Sequence, residues 1–157
     1  LDNAAACMTG ADALGCLRAP GPASQLPIEY LEAMRYVPGG GNWRLIPEPL
    51  RSRLMGGAAA GGRTGFFRRL AWFEPSPTLV ASPTMKATML VHPWEDRPLS
   101  VREYARLQGL PDSWVVGLDV DDAYRVLAEA TPAPLARALA ESLRDEVLEQ
   151  VPAGRRS

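Results

Sequence analysis

Proline and glycine set the first limit on this fold. The chain holds 15 Pro and 14 Gly in 157 residues, and many of them fall in its middle. "PGGGNWRLIPEPL" (38–50) and "GGAAAGGRTG" (56–65) break any regular element, and Pro75, Pro77 and Pro83 interrupt the apolar run that follows. A proline has no N–H for a ladder and is confined to edge strands, first positions or bulges. The aromatic and β-branched residues of "FFRRLAWFEPSPTLVASPTMKATMLV" (66–91) therefore predict short strands and edge segments, not a regular sheet.

Helical signals lie on both sides of this middle. "PIEYLEAMRYV" (27–37) opens with Pro27 at a helix-compatible first position and spaces Ile28, Leu31 and Met34 helically. "EPLRSRLM" (48–55) predicts a short helix. From Ser100 the pattern turns strongly helical. Ser100 followed by Glu103 forms a capping box, and Val101, Tyr104, Ala105 and Leu107 make an apolar face. Gly109 and Pro111 supply the stop. "DDAYRVLAEA" (121–130) reads as a short helix or turn. Residues 132–151 carry the strongest helical pattern, with Leu135, Leu139, Leu143 and Val147 in an i, i+4 stripe. Such a stripe must bury against something, because soluble monomers seldom expose contiguous apolar surface.

Apolar residues make up 46% of the chain, enough for a core in one domain, or in one small domain with an appendage. No run of about 18 apolar residues is present, so no membrane span is expected. The start lacks the basic region of a secretory signal. Leu1 in place of Met suggests a chain that begins inside a longer gene product or uses a rare start codon. Two cysteines, Cys7 and Cys16, and the single His92 fall short of the about four ligands of a zinc site, so no metal is expected. His92 has no partner at triad spacing and reads as structural. A reducing, cytoplasmic setting is the expectation. The net charge of −1 hides a segment, 41–70, at +5, where Arg44, Arg51, Arg53, Arg63, Arg68 and Arg69 face only Glu48. A polyanion could be held there.

Residues 97–112 then carry a specific likeness. Arg97, Leu99, Ser100, Arg102, Glu103, Ala105, Arg106, Leu107, Gln108, Pro111 and Asp112 match the pattern R-x-L-[ST]-x-R-E-x-A-R-L-Q-x-[FL]-P-D. This resembles the ninth sequence block of the DNA cytosine-5 methyltransferases. "GGNWRLIP" (40–47) and residues 65–93 resemble that family's target-recognition region, and residues 124–143 its tenth block. The likeness covers roughly residues 10–145. The family's early blocks are absent from these 157 residues. There is no Phe-x-Gly-x-Gly turn for S-adenosylmethionine and no Glu-Asn-Val. No Pro-Cys nucleophile occurs either, since Cys7 follows Ala6 and Cys16 follows Gly15. Where the tenth block usually reads Gly-Asn, this chain has Ala128-Glu129, a carboxylate in place of an amide donor.

The resemblance implies an α+β chain. A small irregular β-containing recognition domain would be followed by C-terminal helices that dock on a missing α/β, Rossmann-like methyltransferase body. Its divisions would be a lead-in (1–39), a recognition region (40–96), a helical part of the methyltransferase core (97–151) and a tail (152–157). Double-stranded DNA would be a partner, and the catalytic N-terminal portion, or a separate subunit carrying it, the other. The implied setting is bacterial-type, cytoplasmic and nucleoid-associated. The implied reaction moves a methyl group from S-adenosylmethionine to cytosine C5 of an extruded base, with catalytic residues outside this chain and no activity expected from it alone. Expected DNA contacts are Arg44, Arg63, Arg68 and Arg69, with Thr78 and Leu79 facing the target base pair. Arg44 reads equally as a backbone contact or as a partner for Glu48. Arg97 would brace the junction of the recognition domain and the body, and Glu129 and Ala130 would border the methyl-donor pocket. Trp43, Trp72, Trp94, Phe66 and Phe67 read as core fillers more readily than as base-stacking platforms. The same residues also suit a fragment of a longer enzyme, the smaller subunit of a split one, a decayed remnant, or a DNA-binding module without catalysis.

Overall fold

The computed structural model describes residues 9–17, 19–56, 65–114 and 117–148. Arg63, Cys7 and the tail after 148 lie outside them, as does the side chain of Val147. The described chain is α+β. Its helices are α1 (Gly10–Leu14), α2 (Ile28–Met34), α3 (Leu50–Met55), α4 (Val101–Leu107), α5 (Val120–Glu129) and α6 (Ala133–Leu143). Two strands, β1 (Arg68–Arg69) and β2 (Leu90–Val91), pair in parallel with Arg68 opposite Leu90 and Arg69 opposite Val91.

Local chemistry explains most of these boundaries. Ser100 and Glu103 form the predicted capping box of α4, and Asp119 caps α5 by accepting from the N–H groups of Asp121 and Asp122. The second case resolves the open reading of 121–130 in favour of a helix. α1 has a capping box of its own, Thr9 with Asp12. The T-x-x-D signal was present in the sequence, but a five-residue helix leaves too little periodicity to stand out. α4 stops at Gly109, whose φ of +74° suits glycine. A Cβ on Gly109 would also lie 2.5 Å from Pro134 Cδ, so the turn between the fourth and sixth helices is closed by close approach.

The parallel pair is short because prolines crowd it, yet it divides the interior. Along a strand, side chains alternate between faces. Leu70 and Leu90 join a cluster with Ala13 and Leu14 of α1, Tyr104 and Leu107 of α4, and Tyr124 and Leu127 of α5. Met89, Val91, Phe66 and Phe67 join the opposite cluster with Met34 of α2, Trp43, Ile46, and Leu54 of α3. Each cluster draws on residues from more than one stretch of the sequence, so the strands act as a shared wall. One predicted face differs at a single residue, and another along its length. Of the face predicted for α2, Met34 is buried and Leu31 packs partly against the second cluster, while Ile28, at the first turn, is 85% exposed. α6 buries none of its residues, and Leu135, Leu139 and Leu143 stand 40%, 54% and 61% exposed. Among the described residues no helix is long and apolar enough to cross a membrane.

Candidate DNA interface and motif junction

The segment with the specific motif folds into a polar knot. Glu103, 1% exposed, accepts from the Ser100 backbone N–H through Oε2 at 2.6 Å. Arg97 donates to both of its oxygens, Nη1 to Oε2 at 2.8 Å and Nη2 to Oε1 at 2.7 Å. The remaining donors of Arg97 go to the Pro98 carbonyl at 3.1 Å and to Glu95 at 2.9 and 3.3 Å. All five guanidinium N–H groups are therefore used, and the Glu103 hydrogen bonds raise the Arg97 pKa above its ordinary value. Both ions keep hydrogen-bond partners, the condition under which a buried pair is tolerated.

His92 closes the knot. Its Nδ1 accepts from the backbone N–H groups of Trp94 (3.3 Å) and Glu95 (3.1 Å), which assigns the proton to Nε2, 3.8 Å from Glu103 Oε1. Burial holds the imidazole below its usual pKa; Glu103 pulls upward, while Arg97 adds to the lowering. His92 is buried, and these contacts hold the turn at residues 92–95.

Downstream, the same motif ties the fourth helix to the fifth and sixth. Gln108 Nε2 donates to the Leu127 carbonyl at 2.5 Å and to the Ala130 carbonyl at 3.3 Å, and the Gln108 carbonyl accepts from Ala133 N–H at 2.8 Å. Arg106 pairs with Asp112 through Nε at 2.6 Å and reaches back to the Ala13 carbonyl at 3.0 Å. That pairing lowers the Asp112 carboxyl pKa. Tyr124 donates to the Leu99 carbonyl at 2.6 Å, and its ring meets Tyr104 edge-on at 4.8 Å. Gln108 was visible in the motif, but its role as a tie depends on carbonyls 19 and 22 residues away. Glu129 and Ala130, at the end of α5, are exposed.

The arginine-rich face resolves into unequal parts. Arg69 is 6% exposed. Its guanidinium donates to the carbonyls of Val37 (2.5 Å), His92 (2.8 Å), Glu95 (2.9 Å) and Met34 (2.8 Å), and it pairs with Asp96. No N–H is left over. The expectation of a DNA contact at Arg69 is corrected on this ground: the side chain is a buried clamp between the end of the second helix and the 92–96 loop. Nothing in the sequence distinguishes it from Arg68, because the carbonyls that hold it come from distant segments.

Arg68 is half-buried and lines a cleft of about 280 Å³ with Gly40, Gly41, Asn42, Glu74 and Pro77. Its Nε is buried with no hydrogen-bond partner. The glycine loop forms the rim. Gly40 N–H donates to the Arg69 carbonyl at 3.2 Å, and Gly41 accepts from Arg69 N–H at 3.1 Å, so the loop extends the short sheet. Gly40 has a φ of +77°, and a Cβ on Gly41 would sit 2.9 Å from the Pro38 carbonyl oxygen.

Thr78 is exposed and Leu79 packs partly against the first cluster. Arg44 is exposed and lies 5.6 Å from the centroid of the buried Trp43 ring. Glu48, its alternative partner, is engaged by Arg51 Nε at 3.0 Å and Ser52 Oγ at 2.5 Å. Trp43, Phe66 and Phe67 are core. Trp72 stacks on the exposed Trp94 at 4.0 Å.

A family model described as C-5 cytosine-specific DNA methylase matches residues 49–145, a span that takes in Arg68 and Glu74 but not the glycine rim of their cleft, together with the Arg97–Glu103 knot and the fourth, fifth and sixth helices. The chain belongs to that family. It is 43% identical over 119 residues to the type II methyltransferase M.PspPI of Psychrobacter sp. (strain TA137). The aligned part covers 74% of this chain and 29% of that relative. M.Sau96I of Staphylococcus aureus is 43% identical over 114 residues, 71% of this chain and 26% of the relative. The DNA (cytosine-5)-methyltransferase 3 of Arabidopsis thaliana is 40% identical over 86 residues, 54% of this chain and 6% of the relative. The chain thus spans less than a third of the length of these relatives. The cytosine-5 methylase likeness in residues 97–112 therefore falls on a folded segment whose buried Glu103 and half-buried Arg97 the family pattern contains.

Proposed function

We propose that this chain is the C-terminal part, or a subunit, of a DNA cytosine-5 methyltransferase. It would recognise a short duplex site so that a catalytic N-terminal portion can transfer a methyl group from S-adenosylmethionine to cytosine C5. The observation that carries the reading is the pairing of two features in one chain. The family's motif is folded into a satisfied knot, while α6, inside the family match, leaves Leu135, Leu139 and Leu143 of its stripe 40% to 61% exposed. A helix of that kind suits a body supplied by other sequence, here the expected α/β methyltransferase core. Arg97, fixed between Glu95 and Glu103, acts as the brace where the chain passes from the recognition region to α4.

The recognition role falls to residues 40–96. Arg68, Arg44, Thr78 and Leu79 are the contacts proposed within the described residues, and Arg63 is kept as a proposal outside them. For the methyl donor, the chain offers one open edge, Glu129 and Ala130, both exposed and not enclosed by other described side chains. A carboxylate there accepts hydrogen bonds where an amide would also donate. These residues do not form a cofactor site by themselves, and no step of the transfer is derived through them.

The test is methyl transfer from labelled S-adenosylmethionine to mixed-sequence duplex DNA, by this chain alone and with the N-terminal portion supplied separately. Activity in the mixture alone supports the reading. Sequence-selective DNA binding with no activity in the mixture favours a non-catalytic DNA-binding remnant, to which the carboxylate at Glu129 also points. Absence of salt-dependent DNA binding would overturn both.

A further inference from the structure

Two charged side chains of opposite sign share the cleft beside the glycine loop and do not meet. Arg68 and Glu74 both line it, and among the described residues neither makes a hydrogen bond or an ion pair. This contrasts with Arg69, Arg97 and Arg106 nearby, each held by a carboxylate. A buried guanidinium nitrogen without an acceptor is costly, and such groups in a folded chain call for an explanation. A phosphate would satisfy Arg68 but would be repelled by Glu74. The major-groove edge of a G·C pair suits both: guanine O6 and N7 accept, and the cytosine N4 amino group donates.

We infer that this cleft reads a G·C pair, with Arg68 donating to the guanine and Glu74 accepting from the cytosine. The inference rests on the proposed DNA-recognition role and deepens it by naming the base pair and its two readers. Geometry favours the assignment to this cleft. Its rim is Gly40 and Gly41, which present no side chain to hold a duplex away. Asn42 lies beside them, its Oδ1 occupied by the Arg44 N–H at 3.1 Å, so the amide is set by the loop. Thr78, one residue beyond the cleft's Pro77, is exposed.

The experiment uses the full 157-residue chain and a random-sequence duplex library. Bound duplexes are sequenced to obtain the preferred site. Affinities are then measured for that site and for versions with each G·C pair changed to A·T, and with guanine replaced by 7-deazaguanine. Arg68→Lys keeps the charge and loses the planar fork. It is expected to lose roughly 10- to 100-fold on the preferred site and to show no further loss when one particular G·C pair is changed. Its salt dependence should stay unchanged. Glu74→Ala, at an exposed position, is expected to abolish discrimination at the same pair without affecting folding.

Wild-type binding with no sequence preference would overturn the reader and leave DNA binding standing. An Arg68→Ala variant that weakens all duplexes alike, with the salt slope reduced by about one, would make Arg68 a phosphate contact and overturn it too. No DNA binding by the wild type would remove this inference together with the reading beneath it.

Discussion

Replacing Glu103 with Ala should be among the most damaging single changes in this chain. The carboxylate is 2% exposed as a side chain and holds three donors: the Ser100 N–H, and one N–H from each terminal nitrogen of Arg97. Removing one partner of a buried pair costs about 3–5 kcal/mol, because the other charge is left unpaired. Arg97 keeps 24% of its side-chain surface and retains Glu95, so the lower end applies, about 3 kcal/mol. Loss of the reciprocal cap adds about 1 kcal/mol. A total of about 4 kcal/mol is a large share of the roughly 5–15 kcal/mol that holds a domain together. With a urea slope of about 1–3 kcal/mol per molar, the unfolding midpoint falls by about 2 M. Glu103→Gln, which keeps the shape and one acceptor, should lose about half as much. The double change Glu103→Ala with Arg97→Ala should cost less than the sum of the two single changes, because the stranded charge is gone. A Glu103→Ala loss below about 1 kcal/mol, at unchanged slope, would refute the knot as a source of stability.

His92 predicts an acid-sensitive fold. Its folded pKa lies below the ordinary value of about 6.5, mainly through burial, so the unfolded chain takes up a proton that the folded chain refuses. Stability is thus full above pH of about 6.5 and declines as pH falls below it, an effect His92→Gln should reduce in urea titrations across that range. Gly109→Ala must place a Cβ at φ +74° and 2.5 Å from Pro134, and should cost about 2 kcal/mol or more in thermal unfolding. A change below about 0.5 kcal/mol would mean that the turn repacks freely. Changing Leu135, Leu139 and Leu143 together to Ser should alter the chain's own stability by only about 1–2 kcal/mol, since each is at least 40% exposed. It should sharply weaken association with the N-terminal methyltransferase portion; unchanged association in a pull-down titration would assign docking to another face.

Local rules carried most of what could be read in advance. The capping box at Ser100, the stop at Gly109 and the short helices at 28–34 and 50–55 follow from residues within a turn of one another. The prolines of the middle kept the sheet to two residues per strand, as expected. The family resemblance supplied what spacing alone did not, and the comparison with the methylase family bears it out. What escaped was non-local. Ile28 sat at the right spacing for a buried face and is exposed, while Met34 of the same face is buried and Leu31 packs partly against the cluster.

Arg68 and Arg69 separate the two kinds of information. The sequence by itself determined that a short strand would run through them, and strand geometry sends neighbouring side chains to opposite faces. It could not determine which of the two would be buried. That was decided by where the Val37, Met34, His92 and Glu95 carbonyls converge, and by Asp96 beside them. A guanidinium enters an interior only where all of its donors find acceptors. Those acceptors come from segments 23 to 35 residues away, and only the assembled fold brings them to one point.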